Sequence, residues 1–237
     1  MDSKIWFRNI CKKNSLHISD DQLILLDEYV SELVAWNNKI NLISRREEEN
    51  IWQRQILGSI SFLFKFKFET IGKILDLGTG GGLPGIPIAI LQPNLSITLL
   101  DSIKKKIHVI NNILNQLSLP NVVTVCGRAE EMGQRQEFKH TFDYIIARAV
   151  APMVDVVEWS KPLLKQTSID SVLSHLEREH TKLQKGSVIM LKGGDLESEI
   201  KTALQKFPKL RVLHFLLTIE GLKEQDLANK KIVIAYQ

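Results

Sequence analysis

The stretch Ile74-Leu75-Asp76-Leu77-Gly78-Thr79-Gly80-Gly81-Gly82-Leu83-Pro84-Gly85 constrains this chain more than any other. A short apolar run carrying one acid passes into five glycines within the eight residues from Gly78 to Gly85. An apolar helical stretch with Pro84 in its first turn follows. Glycine permits positive φ and lets a ligand lie directly on the backbone. So many glycines weaken a fold that has no use for them. Strand, glycine turn and helix in that order place a ligand at the carboxyl end of a strand in a doubly wound sheet.

The rest of the chain agrees with such a sheet. Buried strands are predicted at 74–77, 96–100, 122–126, 142–147, 187–191, 211–218 and 231–236, and helices at 84–91, 103–117, 152–164 and 196–207. Strands alternating with helices pair in parallel through right-handed crossovers. The last two strands have no helix between them, so one of them runs antiparallel. Before Lys73 the pattern is helical. Ser19-Asp20-Asp21 caps a helix with Leu23, Leu26, Tyr29, Val30, Leu33 and Val34 on one face. Asn37, Asn38 and Asn41 interrupt it, and a second helix begins within 46–49 and runs through Ile51, Trp52, Ile56 and Leu57 to Leu63. The expectation is an α/β fold: a doubly wound, mostly parallel, seven-stranded Rossmann-like sheet with an N-terminal helical extension. The extension covers 1–70 and the sheet domain 71–237, with a polar insertion at about 166–185.

Composition narrows the class. The chain has 237 residues, 44% of them apolar, enough for one sizeable core. A net charge of +4 is compatible with a nucleic-acid partner without demanding one. Cys11 and Cys126 lie far apart and form neither a disulfide framework nor a metal-ligand cluster, which suits a cytoplasmic compartment. No signal peptide and no membrane span is expected. With no dimer seam in view, a monomer is expected.

Two cofactors compete for the turn. Gly80-Gly81-Gly82-Leu83-Pro84-Gly85 matches GxGxxG, the dinucleotide register. A pyrophosphate site, however, has no use for an acid on the strand end, and Pro84 removes an N–H donor. S-adenosylmethionine carries a sulfonium and an ammonium, for which Asp76 is favourable. The methyl donor is therefore the preferred cofactor, with Gly78, Gly80 and Leu83 in its cradle. Asp101, ending the next strand, can accept ribose hydroxyls or cap the following helix. Arg128-Ala129-Glu130 follows the third strand, where Ala129 and Glu130 would flank adenine, or merely start a helix.

The segment after the fourth strand, Ala147-Arg148-Ala149, decides the chemistry. It lacks the acid-or-amide, Pro-Pro, aromatic turn of exocyclic-amine methylases and the cysteine of pyrimidine C5 methylases. Arg148 offers a planar, permanently charged donor fork for a phosphate, a base edge or the cofactor carboxylate, or it pairs with Asp143 or Asp155. A target that needs no deprotonation, such as guanine N7, fits this inventory, because alignment alone suffices. Lys192, after the fifth strand, lies at the same sheet edge and can meet an RNA phosphate. Lys104-Lys105-Lys106 is either RNA-facing or a solvated face.

With these residues in view, the chain resembles the bacterial ribosomal RNA small subunit methyltransferase G family, also called glucose-inhibited division protein B. The resemblance runs over almost the whole length. It is carried by Trp36-Asn37-Asn38-Lys39-Ile40-Asn41-Leu42, by Asp76 to Pro87, by Leu99-Leu100-Asp101-Ser102, and by Arg128-Ala129-Glu130-Glu131, Ala147-Arg148-Ala149 and Leu191-Lys192-Gly193. It implies a class I methyltransferase that methylates guanine N7 in the 530 loop of 16S rRNA, in rRNA or the small ribosomal subunit. It implies cofactor contacts at Gly78, Leu83, Ala129, Glu130 and Arg148, and an RNA-facing side with Arg148, Lys192 and Lys230. The chain departs from the family where an Arg-His-Ile-Leu-Asp-Ser segment reads Arg54-Gln55-Ile56-Leu57-Gly58-Ser59, and where an arginine before the last strand is Lys230. Those departures keep a second reading open, a ribosome-assembly factor without turnover. A nicotinamide-dependent oxidoreductase is the third.

Overall fold

The computed structural model describes residues 2–44, 48–166, 181–223 and 230–236. The predicted helix start at 46–49 falls partly outside them, and so does most of the polar insertion at 166–185.

Two capped helices open the chain. Asp2 accepts the Lys4 N–H at 2.9 Å and starts α1, Ser3–Lys13. Ser19 starts α2, Asp20–Asn37, through a capping box in which Ser19 and Gln22 satisfy each other's backbone N–H. The next helical stretch is not regular. Trp52–Leu57 is a π-helix, continued by a short α-turn, Gly58–Ile60, and a 3-10 turn, Ser61–Phe64.

The strands follow the predicted order: β2 Gly72–Leu77, β3 Leu95–Asp101, β4 Val122–Cys126, β5 Tyr144–Arg148, β7 Ser187–Lys192, β8 Arg211–Leu216 and β9 Lys231–Tyr236. They form one seven-stranded sheet in the order β4-β3-β2-β5-β7-β9-β8. All neighbours pair in parallel except β9, which is antiparallel to both β7 and β8. Two strands of two residues each, β1 Phe66–Lys67 and β6 Thr181–Lys182, pair separately and were not foreseen. The helices between strands are α3 Gly85–Leu91, α4 Lys104–Leu117, α5 Ala129–Met132, α6 Met153–Ser160 and α7 Glu197–Lys206. α6 ends earlier than predicted because Pro162 has no N–H to continue the helical ladder. β5 starts at Tyr144 rather than at residue 142, since Phe142 pairs instead with Leu164 in an isolated parallel bridge.

Strand side chains alternate between two cores, as the period of two requires. Ile74, Ile97, Leu99, Tyr144, Ile146 and Ile189 face one core, shared with Phe7, Leu26, Tyr29, Leu33 and Ile56 of the N-terminal helices. Leu75, Leu77, Leu100, Ile145, Ala147 and Met190 face the other, with Met153, Val157 and Ala203. The N-terminal helices thus cover one face of the sheet. No helix among the described residues is long and apolar enough to cross a membrane.

The chain winds from β2 through β3 to β4 in one direction and from β5 to β7 in the other. The reversal leaves a crevice between the carboxyl ends of β2 and β5, where open α/β sheets bind ligands.

Three substitutions separate packing from tolerance. Leu33→Ala removes a fully buried side chain and is expected to cost about 2–5 kcal/mol in denaturant unfolding. Gly85→Ala sets a Cβ 2.2 Å from Leu99 Cδ2 and 2.7 Å from Asp76 Oδ2, and overpacking of that kind costs about 1–3 kcal/mol. Gly58→Ala meets nothing closer than 3.5 Å and is expected to be neutral or to gain up to about 1 kcal/mol of helix propensity. A large loss at Gly58 would contradict this packing.

Candidate functional site

The crevice opens into a cleft of about 600 Å³, within the range of about 300–1,000 Å³ usual for small-molecule sites. Its walls are the glycine turn after β2, Arg148 and Ala149 after β5, Gln55 of the π-helix, residues 41–44 and Lys106 of α4.

Asp76 organises the turn. Its Oδ2 accepts the Thr79 hydroxyl at 2.6 Å and the Gly85 N–H at 2.8 Å, closing the loop on itself. Its Oδ1 is buried without a hydrogen-bond partner, and burial pushes the carboxyl up to about 6. Asp101 does the same from β3, where Oδ2 accepts Gly80 N–H at 3.0 Å and Oδ1 accepts Ile103 N–H at 2.8 Å. The helix-start role foreseen for Asp101 is therefore present, and a lone pair on each oxygen remains for a second donor.

Glycine is required at two positions for different reasons. At Gly78, φ is +71° and a Cβ would strike Val150 at 2.7 Å, so this residue lets the β2 and β5 loops close on each other. At Gly80, φ is +59° and a Cβ would meet nothing within 4 Å, so the backbone there borders open space. Ala149, directly after Arg148, also has a positive φ of 54°. Such strain in a non-glycine residue gathers at ligand sites.

Arg148 is fixed by residues far away in sequence. Nη1 donates to the Gln55 carbonyl at 3.2 Å and to Ser59 Oγ at 2.8 Å, and Nη2 donates to Gln55 Oε1. Asp143, proposed from sequence as a possible partner, is engaged by Lys165 instead. The π-helical register that presents Gln55 is an arrangement frequent at functional sites.

The structure brings Gly78, Gly80, Leu83 and Arg148 together around the cleft. Asp101 adjoins it through the Gly80 hydrogen bond. Ala129 and Glu130 begin α5 beyond β4 and do not line it, Ala129 being buried and Glu130 exposed. Lys192 bonds Glu199 at 2.6 Å and the Ala151 carbonyl at 3.1 Å, and so braces the loop after β5. Glu199 in turn accepts the Met153 N–H at the start of α6. Lys230 lies outside the cleft, its Nζ 3.5 Å from the position a Gly58 Cβ would take. Of the three lysines at 104–106, Lys106 lines the cleft.

Sequence reasoning missed the residues that support the turn from behind. Tyr29 donates its hydroxyl to the Gly81 carbonyl at 2.9 Å, and Leu33 packs where a Gly81 Cβ would sit. Asn37 accepts the N–H groups of Leu42 and Ile43 at 2.8 and 2.9 Å, folding 41–44 over the cleft. The one sequence signal for this was the Asn37-Asn38 interruption of the helix.

Residues 22–173 match the model of a family described as rRNA small subunit methyltransferase G, GidB. A relative named ribosomal RNA small subunit methyltransferase G, from Alkaliphilus metalliredigens, is 33% identical over 94% of this chain and 92% of its own length. One of the same name from Flavobacterium johnsoniae is 40% identical over 70% of this chain and 71% of its own. Among solved structures, Aeropyrum pernix fibrillarin with natively bound S-adenosyl-L-methionine superposes with a TM-score of 0.52 at 14% identity, over 77% of this chain and 75% of that one, a likeness of fold. On the family match and the full-length relatives together, the chain belongs to the rRNA small subunit methyltransferase G family.

Proposed function

We propose that this protein transfers a methyl group from S-adenosylmethionine to N7 of a guanine in the 530 loop of 16S rRNA, as a cytoplasmic monomer. The observation that carries the reading is one cleft walled by the glycine turn, which the buried Asp76 carboxylate backs from beneath with one unpartnered oxygen, and by an anchored guanidinium, on Arg148. The residues fit the methyl donor. The Asp76 charge suits a sulfonium and an ammonium, the open face of Gly80 admits close approach, and Asp101 has acceptor capacity beside it. Gly78, Gly80, Leu83, Asp101 and Arg148 would hold the donor, with Ala129 and Glu130 toward its adenine. The helical extension 1–70 belongs to the same reading, as the scaffold that backs the turn of the 71–237 domain.

The bound donor supplies an already electrophilic methyl group. Guanine N7 has an in-plane lone pair, so no residue has to remove a proton. The protein's task is alignment and exclusion of water. Arg148 serves as the catalytic group by orienting the base or an adjacent phosphate with its fork. Lys106, at the cleft wall, adds a cation on the same side. Lys192, through Glu199, holds the loop that carries Arg148, and Lys230 stands beside Gly58 toward the RNA. Gln55, where the family has histidine, keeps Arg148 bonded, which supports turnover over a purely binding role.

Mapping N7-methylguanosine in 16S rRNA from a strain lacking the gene is expected to show loss of one modification. Persistence of that modification would remove the reading. Burial raises Asp76 from 3.8 to about 6, so between those values the folded chain loses stability as pH rises, because the native state holds the proton longer. A bound cation favours the ionised form. Affinity for S-adenosylmethionine is therefore expected to fall roughly tenfold from pH 7 to pH 5, one pH unit below the pKa. Calorimetry on Asp76→Asn is expected to show weaker binding without that slope, and a slope equal to wild type would exclude Asp76 from the site. Arg148→Lys keeps the charge but loses the fork, and kcat/KM is expected to drop roughly 10- to 100-fold, about 1.4–2.7 kcal/mol. Unchanged kinetics would take Arg148 out of the mechanism.

A further inference from the structure

A second concavity lies at the opposite end of the sheet. It has a volume of about 1020 Å³ and is lined by residues just before the strands begin: His140 ahead of β5, Gly186 ahead of β7 and Leu210 ahead of β8. The cleft follows the other end of β5, five residues away, about 17 Å at roughly 3.3 Å per residue. Charges in this groove therefore act on binding and not on the transferred methyl group.

Its composition is one-sided. Lys139, Lys161 and Lys209 are exposed on the rim, and among the described residues none of them forms an ion pair. The one acid in the lining, Glu158, is bonded to Lys206 at 2.7 Å. Lys165 is paired with Asp143. The rim is also held in place. His140 donates its backbone N–H to the Pro162 carbonyl at 2.9 Å, and its Nδ1 lies 2.9 Å from the Leu164 carbonyl. Those bonds tie the segments bearing Lys139 and Lys161 together. Phe207 and Pro208 give the groove an apolar floor beside Lys209.

We propose that this groove is a second RNA-binding surface, which takes the phosphate backbone of rRNA at a distance from the methyl-transfer cleft. The inference rests on the rRNA reading above. Ammonium groups without an ion-pair partner among the described residues fit a polyanion, and lysines that neutralise phosphates release counterions on binding. Phosphate contacts of this kind set register and carry no sequence information.

The test uses the full chain with Lys139→Ala, Lys161→Ala and Lys209→Ala combined, against a matched triple at the exposed Lys12, Lys13 and Lys67 outside the groove. Binding to 16S rRNA and to small subunits is measured against salt, alongside methyl-transfer kinetics. The groove triple is expected to flatten the slope of log K against log salt by about 2, at roughly 0.7 per lost contact to a single strand. It is also expected to raise KM for RNA about tenfold, with kcat and S-adenosylmethionine affinity unchanged. An unchanged slope, or the same change in the matched triple, overturns the groove while leaving the reaction intact. Loss of affinity for assembled subunits but not for naked rRNA would assign the groove to a ribosomal protein and overturn it as well. A wild-type chain that binds RNA through the groove yet transfers no methyl group would overturn the reaction and leave the groove standing.

Discussion

The Asp76 carboxylate is the interaction on which the site depends. One oxygen gathers the Thr79 hydroxyl and the Gly85 N–H and so closes the turn between β2 and α3. Around that anchor, Gly78 and Thr79 donate to the Leu100 carbonyl at 2.9 Å, and Gly80 donates to Asp101. Two parallel strands and the turn between their ends are thereby fixed as one unit. A carboxylate buried this deeply needs such donors, because burial penalises its charge heavily. Its second oxygen remains without one, and its charge, lying beneath the turn, would favour a cationic ligand on the other side.

The N-terminal helices complete the unit from outside the sheet. Gln22 of α2, already in its capping box, reaches the Ile90 and Leu91 carbonyls at 3.2 and 3.3 Å and caps the end of α3. Tyr29 and Leu33, further along the same helix, hold Gly81, and Asn37 at its end bends the chain into the cleft wall. Successive turns of one helix therefore touch the far end of α3, the turn before it and the cleft. This explains why the helical segment and the sheet share a hydrophobic core instead of standing as separate bodies.

The sheet was legible because its strands are short apolar runs bounded by glycine, proline or charge, and the turn was legible because glycines in that order serve little else. The helix bearing Ser19 was legible through its cap and its apolar face. What escaped was set by contacts between distant residues. Arg148 and Gln55 are 93 positions apart, and nothing local marks either as the other's partner. Lys192 reads from sequence as a free cation at the sheet edge, yet Glu199, in the first turn of α7, takes up its charge. The β1–β6 pair of two-residue strands is too short for any period to show. The π-helix at Trp52–Leu57 has an ordinary apolar helical pattern, since a one-residue change of register alters hydrogen bonding more than composition.

Several local violations adjoin the cleft. Beside the cleft stand the Gln55 Nε2 without a partner, a left-handed Ala149 and a π-helix, with the unpartnered Asp76 oxygen beneath the turn, while Ser160 Oγ and the positive-φ Ser15, Ser118 and His140 lie elsewhere. Elsewhere in the sheet the alternation of side chains between the two cores is regular. Sequences that fold well keep local preference and global structure in agreement, and exceptions are retained where a ligand or a reaction needs them. Each exception here costs stability in the free protein. A cation bound over the turn would favour the Asp76 charge and recover part of that cost, so binding would also stabilise the folded state. On the proposed reaction the glycine turn and Arg148 would act together: the carboxylate under the turn would favour a cationic ligand, and the guanidinium, held by Gln55 and Ser59, would meet its partner.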